Sequence, residues 1–383
     1  MSKTCVIFHS CDLDGWMSAA IVKYWNQLEL NKFGSKFGEV EKDKTYHSDI
    51  DFIGYNYGQP IPDLSGYDRV VMCDISFPKE EMIRLIKKIG NQNFIWIDHH
   101  ISALKDILGD NVSEKVDKNG IKYFADTNSV IAGNRATNFA ACELTWQYFF
   151  PDDPMPEIVR LLGRYDCFGH KFTKEDRDRL DVLADVRDNT ASEQLHPYVD
   201  ELNSLLRKRE EEKKVLEFQY GARQCISNYE EAYEKLVSCF DADKVEWNIV
   251  NPIHEKGKAI YQYLCTEAKQ AYKNGFEIKF TQSFPEVSTE KYTGGVDPIV
   301  YKFICINKER SNPVNFGIDY HSDGYDGAAC FHFNGRNWYF SLYNDNGKVD
   351  CSAICKSYGG GGHQGASGMI VDTETMLKII NNG

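Results

Sequence analysis

The chain has 383 residues, of which 42% are hydrophobic and 13% aromatic, and this predicts two folded domains with ordinary hydrophobic cores. Its formal net charge of −13 argues against a protein that coats long duplex nucleic acid, because such binding depends on many Lys and Arg contacts with phosphate. An acidic protein that acts on phosphates therefore needs metal ions.

The cysteines and the apolar runs predict the cellular compartment. The 12 cysteines are scattered and include no Cys-x-x-Cys pair, so we expect reduced thiols and a cytoplasmic protein. The first residues lead into a short strand without a signal-peptide segment, and no apolar run approaches the roughly 18 residues of a membrane span. We therefore expect no export by a signal peptide and no membrane partner.

Strands and helices alternate in the first part of the chain. Helical spacing predicts helices over residues 16–30 and from about residue 78. Short apolar runs predict buried strands at residues 5–8, 51–57, 69–73 and 94–97. This alternation predicts an α/β fold with a doubly wound parallel sheet.

The remainder of the chain predicts a connector and a second domain. Helices are expected over 136–150 and 156–164, followed by a charged, partly heptad-like stretch. The second domain contains a predicted helix over 258–272, a strand over 299–306 and a hairpin at Asn334-Gly335. We expect a catalytic domain over residues 1–175, a helical connector over 176–244, and a smaller α/β domain over 245–383.

Polar residues follow three of the predicted strands. His9, Asp12 and Asp14 follow the first, Asp74 another, and Asp98-His99-His100 the strand over residues 94–97. Ligands of parallel sheets bind beyond the carboxyl ends of the strands, and carboxylate with imidazole suits manganese, zinc or iron. The alternatives are an N-cap for Asp12, a simple turn for Asp12 to Gly15, and half-exposed turn histidines at residues 99 and 100.

A glycine run near the end of the chain is a candidate substrate site. Gly359, Gly360, Gly361 and Gly362 precede His363, and without Cβ atoms a backbone can bring its N–H groups close to an anion. A flexible linker is the alternative. We disfavour the linker because an apolar strand and a closing helix follow the run.

Taken in order, these motifs resemble the DHH phosphoesterase superfamily with its DHH-associated C-terminal domain. That superfamily includes RecJ-type exonucleases, oligoribonucleases, cyclic-dinucleotide phosphodiesterases and manganese pyrophosphatases. The residues that carry the resemblance are His9-x-x-Asp12-x-Asp14, Asp74, Asp98-His99-His100, Asp166 and the glycine run with His363. Cys11 beside the first motif, and Leu342-Tyr343-Asn344 where the family pattern would place an arginine, are departures that concern the substrate.

The resemblance implies a site with two divalent cations, most suitably Mn²⁺, with Mg²⁺ or Co²⁺ as lesser alternatives. It implies that His9 and Asp12 bind one ion, that Asp14, His99 and Asp166 bind the other, and that Asp74 bridges them. Asp98 would fix the ring of His99. His100 would act on a substrate phosphate or on the leaving oxygen.

The expected function is hydrolysis of short oligonucleotides or small nucleotides by a metal-activated water. The glycine run and His363 would hold the remote phosphate or the terminal nucleotide, in a crevice between the domains. A hydrolase of pyrophosphate or short polyphosphate is the alternative within the enzyme class, and a non-catalytic nucleotide-binding sensor is the alternative outside it. A homodimer remains open.

Overall fold

The structure, a computed structural model, describes residues 3–36, 49–118, 120–225, 235–238, 240, 245–282, 299–309 and 312–381. The chain divides into two compact units. The first unit comprises Met1–Phe172 and Leu183–Lys258, and the second comprises Thr173–Val182 and Ala259–Gly383. The three-part division expected from the sequence, with limits after residues 175 and 244, stays a prediction.

A parallel sheet forms the centre of the first unit. Its four strands within the described residues are β1 (Lys3–His9), β2 (Asp49–Tyr55), β3 (Arg69–Cys73) and β4 (Phe94–Ile97), in the order β2-β1-β3-β4. Every neighbouring pair is parallel. The central strands are apolar over residues 5–8 of β1 and 70–73 of β3, because both faces of the sheet are covered, and the predicted parallel sheet is confirmed.

Helices cover both faces of this sheet. Helices α1 (Leu13–Lys36) and α4 (Ala141–Phe149) pack on one face, against Val6 and Phe8 of β1. Helices α2 (Lys79–Ile89) and α3 (Ile101–Leu108) pack on the other face, where the alternate side chains of the same strand are buried. Successive side chains of a strand point to opposite faces of the sheet, so β1 contacts helices on both faces, as in a doubly wound fold.

The segment between α3 and α4 was not interpreted from the sequence, and it contains a small antiparallel pair. Strand β5 (Val112–Val116) pairs with β6 (Lys122–Asp126), and isolated bridges join Ile95 to Ala132 and Asp98 to Arg135. Because residues before 141 are used in these bridges and in the turn that follows, α4 begins later than the predicted start at residue 136.

Helices α5 (Glu157–Asp166), α6 (Lys174–Asn189), α7 (Ser192–Leu195), α8 (Val199–Cys225) and α9 (Val245–Tyr272) follow. The last is longer than the predicted helix over 258–272. Helices α8 and α9 cross closely, since a Cβ at Gly221 would lie 2.0 Å from the Ile253 oxygen and one at Gly257 would lie 1.7 Å from the Glu217 oxygen. None of the described helices combines the length and apolar character needed to cross a membrane.

The second unit contains a mixed sheet. Within the described residues its strands are β7 (Phe276–Gln282), β8 (Ile299–Asn307), β9 (Gly327–Phe333), β10 (Trp338–Tyr343), β11 (Gly361–His363) and β12 (Ala366–Val371), in the order β11-β12-β10-β9-β8-β7. The β9–β10 pair is the predicted hairpin. Helices α10 (Cys351–Ser357) and α11 (Thr373–Asn381) pack buried apolar residues, among them Ile354 and Met376, against one face, so the second unit is also α/β.

Candidate metal centre

The end of β1 and the start of α1 bring His9 and Asp12 together. Oδ1 of Asp12 accepts a hydrogen bond of 3.1 Å from the Gly15 N–H, and Oδ2 lies 3.0 Å from Nδ1 of His9. The N-cap and ligand interpretations of Asp12 are therefore compatible, because the two oxygens have different partners. A Cβ at Gly15 would lie 1.9 Å from the His9 carbonyl oxygen, so this close turn requires glycine.

Asp14 is held by a helix that lies far away in the sequence. Its oxygens accept hydrogen bonds from the backbone N–H groups of Ala141 at 2.9 Å and Cys142 at 2.8 Å. These are two of the N–H groups at the start of α4 that have no partner within the helix. Burial raises the pKa of the Asp14 carboxyl, and the two helix N–H donors act in the opposite direction.

Asp74 follows β3 in a left-handed backbone conformation, with φ of 61°. Aspartate tolerates this region better than most residues, and such outliers are concentrated at functional sites. The Asp74 N–H donates to the Ile97 oxygen at 2.9 Å, while the buried carboxylate lies between two histidines. Oδ2 is 3.5 Å from Nδ1 of His9, and Oδ1 is 3.4 Å from Nε2 of His99.

His99 contacts three carboxylates from three different elements. Its Nε2 lies 3.2 Å from Oδ2 of Asp166 and 3.7 Å from Oδ2 of Asp14, in addition to the contact with Asp74. Asp166 is the last residue of α5. The ring is buried, so β4 places one imidazole at the point where β3, α1 and α5 meet.

Asp98 orients the second histidine of the pair. Its Oδ1 accepts hydrogen bonds from the backbone N–H groups of His99 at 2.7 Å and His100 at 3.0 Å, and it lies 2.8 Å from Nδ1 of His100. The sequence interpretation assigned Asp98 to the ring of His99, whereas the structure places its carboxylate against the ring of His100. The resulting Asp98–His100 pair is buried at the carboxylate and partly exposed at the imidazole.

These side chains form three overlapping groups of candidate ligands. Within each group one ligand atom per residue lies within 4.8 Å of the others: His9, Asp12 and Asp74; Asp14, His99 and Asp166; and Asp74, His99 and His100. The first two groups match the two ligand sets that the resemblance implies, and Asp74 links them through His99. The roles of the individual residues stay predictions.

The residues fit a divalent metal centre. Buried Asp74 faces His9 and His99, but neither of its oxygens accepts a hydrogen bond of good geometry from the residues that the structure describes, and burying such a carboxylate is costly. Carboxylate oxygen and imidazole nitrogen are ligands for manganese and its neighbours. Among the described residues, no cysteine belongs to these groups.

The crowded charges shift several pKa values. Burial opposes the charged form of His9, but Asp12 and Asp74 outweigh it and raise the pKa of His9 to about 11. Burial and then the Asp74 charge raise the pKa of Asp12. Burial also disfavours ionised Asp74, but His9 and His99 hold its pKa below the usual range. The imidazoles of His9 and His99 thus stabilise ionised Asp74, and divalent ions would take over this role.

Arg135 is a supporting residue that the sequence interpretation missed. Its buried guanidinium donates to the backbone oxygens of Ile131 at 2.6 Å, Ala132 at 3.0 Å and Trp96, and to Asp126 at 2.8 Å. These bonds join the segment before α4 to β4, the strand that ends at Asp98. Nothing in the sequence marked Arg135, because it lies where no periodicity could be read.

Glu143 and Arg164 form a second supporting pair. Nε of Arg164 donates to Oε1 of Glu143 at 2.8 Å, and Oε2 of Glu143 accepts from the Ala140 N–H at 3.0 Å. The pair joins α4, which holds Asp14, to α5, which carries Asp166. A charged residue within the apolar run of a buried helix was the available signal for Glu143.

The glycine run lies in the second unit. Residues Gly361–His363 form β11, an edge strand, where a loop was expected. Gly359 and Gly362 have φ of 79° and 140°, and a Cβ at Gly360 would lie 2.2 Å from the Gly368 oxygen. Backbone conformation at Gly359 and Gly362, and a close backbone contact at Gly360, therefore favour glycine at these three positions. The flexible-linker alternative is excluded.

Comparisons with known proteins give distant similarities. No protein-family model matches the chain. The chain is 23% identical over 370 residues to the uncharacterized protein R106 of Acanthamoeba polyphaga mimivirus, an alignment that covers 95% of this chain. The chain spans 66% of the length of that relative.

Several solved structures are similar over nearly the whole chain. A pGpG-specific phosphodiesterase, PggH from Vibrio cholerae, has a TM-score of 0.43 and 13% identity over 99% of this chain and 96% of its own. An exopolyphosphatase-related protein from Bacteroides fragilis has a TM-score of 0.39 and 12% identity over 99% and 90%. CDC45 from Entamoeba histolytica has a TM-score of 0.37 and 9% identity over 100% of this chain and 94% of its own. These values assign no activity; the present structure itself shows the predicted α/β architecture and a His/Asp cluster.

Proposed function

We propose that this chain is a manganese-dependent phosphoesterase that hydrolyses short oligonucleotides or small nucleotides. The observation that carries the proposal is the position of Asp74, a buried carboxylate that faces His9 and His99 and belongs to two groups of candidate ligands. A pair of cations bridged by one carboxylate is the arrangement used in two-metal phosphoryl hydrolysis.

The residues of the centre divide the work of binding and proton transfer. Bound divalent cations would supply water activation and neutralisation of the phosphoryl charge. Helix α4 fixes the Asp14 carboxylate, and Asp98 fixes the ring of His100 through Nδ1. In the proposal, Asp98 orients the His100 ring through Nδ1, so that Nε2 donates to a phosphate or leaving oxygen, or accepts a proton from it.

The glycine run supports a nucleotide substrate in the proposal. We assign Gly361 and His363 of β11, together with the flanking glycines, to the end of the substrate that does not react. The acidic net charge of −13 disfavours long polyanions, while the metal ions attract short ones. Partners are thus short oligonucleotides or nucleotides, and the cytoplasmic location stays part of the proposal.

The proposal is tested by assaying candidate substrates in the presence of manganese. The purified protein, supplied with manganese, is offered di- to decanucleotides, cyclic dinucleotides, adenosine bisphosphate and polyphosphate, and product release is measured. Turnover of nucleotides supports the proposal. Turnover of polyphosphate alone favours the phosphoanhydride alternative, and nucleotide binding without turnover favours the sensor.

The metal content of the protein tests the role of Asp74. Elemental analysis of the manganese-loaded wild type is expected to give two ions per chain. Asp74→Ala should lose more metal than Asp12→Ala or Asp166→Ala, because it belongs to two groups. Asp110→Ala, a change at an exposed carboxylate, is the control and should retain full content. A wild type that holds no manganese at saturation contradicts the proposal.

A further inference from the structure

Tyr57 lies at the edge of the candidate metal centre and has no role in the proposed mechanism. It follows the end of β2, and its ring centroid is 6.0 Å from that of His9, with an angle of 59° between the planes. Its exposed fraction is 56%. A large aromatic ring therefore stands in solvent directly beside a candidate metal ligand.

The turn that carries Tyr57 is attached to the residue after His9. Oδ1 of Asn56 accepts hydrogen bonds of 3.2 Å from both the N–H and the hydroxyl of Ser10. The Ser10 N–H also lies 3.3 Å from the Tyr55 oxygen, and the Tyr55 hydroxyl donates to the Gln59 oxygen at 3.1 Å. The backbone at Tyr57 is thus fixed relative to the metal centre.

The hydroxyl of Tyr57 lies near the segment that follows Asp74. Burial and the nearby Asp98 charge raise the pKa of Tyr57 to about 12, while hydrogen bonding to Ser76 acts in the opposite direction. Ser76 is buried and lies two residues after Asp74. The hydroxyl of Tyr57 thus lies close to Ser76, while more than half of the residue is exposed.

A cavity of about 340 Å³ is lined by the segment that follows Tyr57, by the segment that follows Ser76, and by α2. Ile61 and Leu64 come from the segment that follows Tyr57, and Phe77 follows Ser76. Pro62, Asp63 and the α2 residues Glu81, Arg84, Leu85 and Lys88 complete the lining, and Arg84 is paired with Glu81. The apolar side chains suit the base of a nucleoside, the two acidic and two basic groups can form hydrogen bonds with it, and the volume is within the range of ligand pockets.

An exposed aromatic residue by itself is common on protein surfaces. Tyr57 differs because its turn is tied to Ser10, its ring faces His9, and the adjoining segments enclose a cavity. A metal centre for phosphate alone has no use for an exposed ring, whereas a nucleobase stacks on one. We propose that Tyr57 and this cavity form a nucleoside subsite of the metal centre, in which the base beside the scissile phosphate stacks on Tyr57. This proposal rests on the proposed function, since it places a base next to the reacting phosphate.

The test compares a dinucleotide with the same phosphodiester in which both bases are missing. Tyr57→Ala should raise KM for the dinucleotide roughly tenfold, the usual loss for one stacked base. It should leave KM for the abasic compound and the metal content unchanged. Tyr57→Phe keeps the ring and should behave like the wild type on both compounds.

The cavity has a matched pair of variants. Ile61→Trp fills its wall and should raise KM for the dinucleotide, whereas Ile83→Trp adds the same bulk on α2 outside the lining and should not. These two isoleucines are 36% and 37% exposed, so both changes should leave the fold intact, which the melting temperature checks.

Each outcome decides the subsite. A loss that is equal on both compounds after Tyr57→Ala, or no loss on the dinucleotide, overturns the proposal. If the wild type hydrolyses neither compound, the proposed function fails, and calorimetric binding of the dinucleotide to wild type and Tyr57→Ala still decides the subsite. Equal affinity, or no binding to the wild type, overturns it; weaker binding to the variant supports it.

Discussion

At the scale of single residues, two carboxylates of the candidate centre, Asp12 and Asp98, use their two oxygens differently. Asp12 caps α1 with one oxygen and faces His9 with the other. Oδ1 of Asp98 accepts the hydrogen bonds of this residue. Asp74 accepts no hydrogen bond of good geometry from the described residues. Side chains that already have a structural partner are oriented, and the remaining oxygen is available for an ion.

The two neighbouring histidines should differ in function. His99 contacts Asp14, Asp74 and Asp166, whereas Asp98 holds His100. His99→Ala should therefore weaken manganese binding, and His100→Ala should keep the metal and lower kcat. Asp98→Asn should resemble His100→Ala, because it weakens the same pair. Calorimetry with manganese and steady-state kinetics measure both effects, and an equal loss of metal in the two alanine variants contradicts the division.

His170 should make the stability of the first unit depend on pH. Nδ1 faces the Arg164 oxygen at 2.7 Å, while Nε2 is buried and without a hydrogen bond in the described residues. Burial lowers the pKa of His170 from 6.5 to about 4, below that of the unfolded chain. Below pH 6.5 the unfolded state takes up a proton first, so the free energy of unfolding decreases until about pH 4.

His170→Gln removes this proton uptake. Between pH 7 and pH 5, urea unfolding should show that the wild type loses roughly 2 kcal/mol more than the variant does. Comparing the two proteins cancels the carboxylates, which titrate in both. Parallel curves for the two proteins would mean that His170 is protonated in the folded state.

At the scale of elements, the centre lies where strands end and helices begin. Strands β1, β3 and β4 bring His9, Asp74 and His99 to one edge of the sheet. The N-terminus of α4 binds Asp14, and α5 supplies Asp166. The parallel sheet sets the position of the site, and the two helices complete it.

Gly15 should be essential for the junction of β1 and α1. A Cβ there would lie 1.9 Å from the His9 oxygen, which is backbone and cannot rotate away. Gly15→Ala should thus displace His9 and Asp12, weaken manganese binding and destabilise the protein by more than about 1 kcal/mol. Gly66→Ala is the control, since nothing lies within 4 Å of its added Cβ. Equal melting temperatures and manganese affinities for the two variants would show that the junction adapts.

At the scale of the whole molecule, metal binding and the glycine run belong to different compact units. All candidate metal ligands lie in the first unit, and β11 with His363 lies in the second. The proposed function therefore assigns the reacting phosphate to one unit and the remote end of the substrate to the other. Such a division favours short substrates that have both parts.

His363→Ala should test this division. One lost hydrogen bond to a phosphate should raise KM for nucleotides roughly tenfold, because the interaction is shared by the ground and transition states. Metal content should not change, and a small activated phosphodiester should be hydrolysed as by the wild type. Abolished hydrolysis of the small compound by a folded, metal-loaded variant would place His363 in the catalytic centre instead.

The sequence by itself determined the parallel sheet, the hairpin at Asn334-Gly335, and the set of side chains that meet in the centre. Apolar runs of strand length predict buried strands, and polar residues that directly follow parallel strands lie at one edge of the sheet. The positions of His9, Asp74 and His99 could therefore be predicted from local patterns. The resemblance to an ordered family motif added Asp166, which no local pattern marks.

Only the tertiary structure decided which partners hold these residues. The α4 N–H groups that bind Asp14 lie more than a hundred positions away in sequence, and Arg135 reaches β4 through backbone oxygens. The Asp98 carboxylate lies against His100 because of its side-chain direction, which residue order does not encode. Contacts of this kind depend on packing between distant segments, so neither periodicity nor spacing along the chain can predict them.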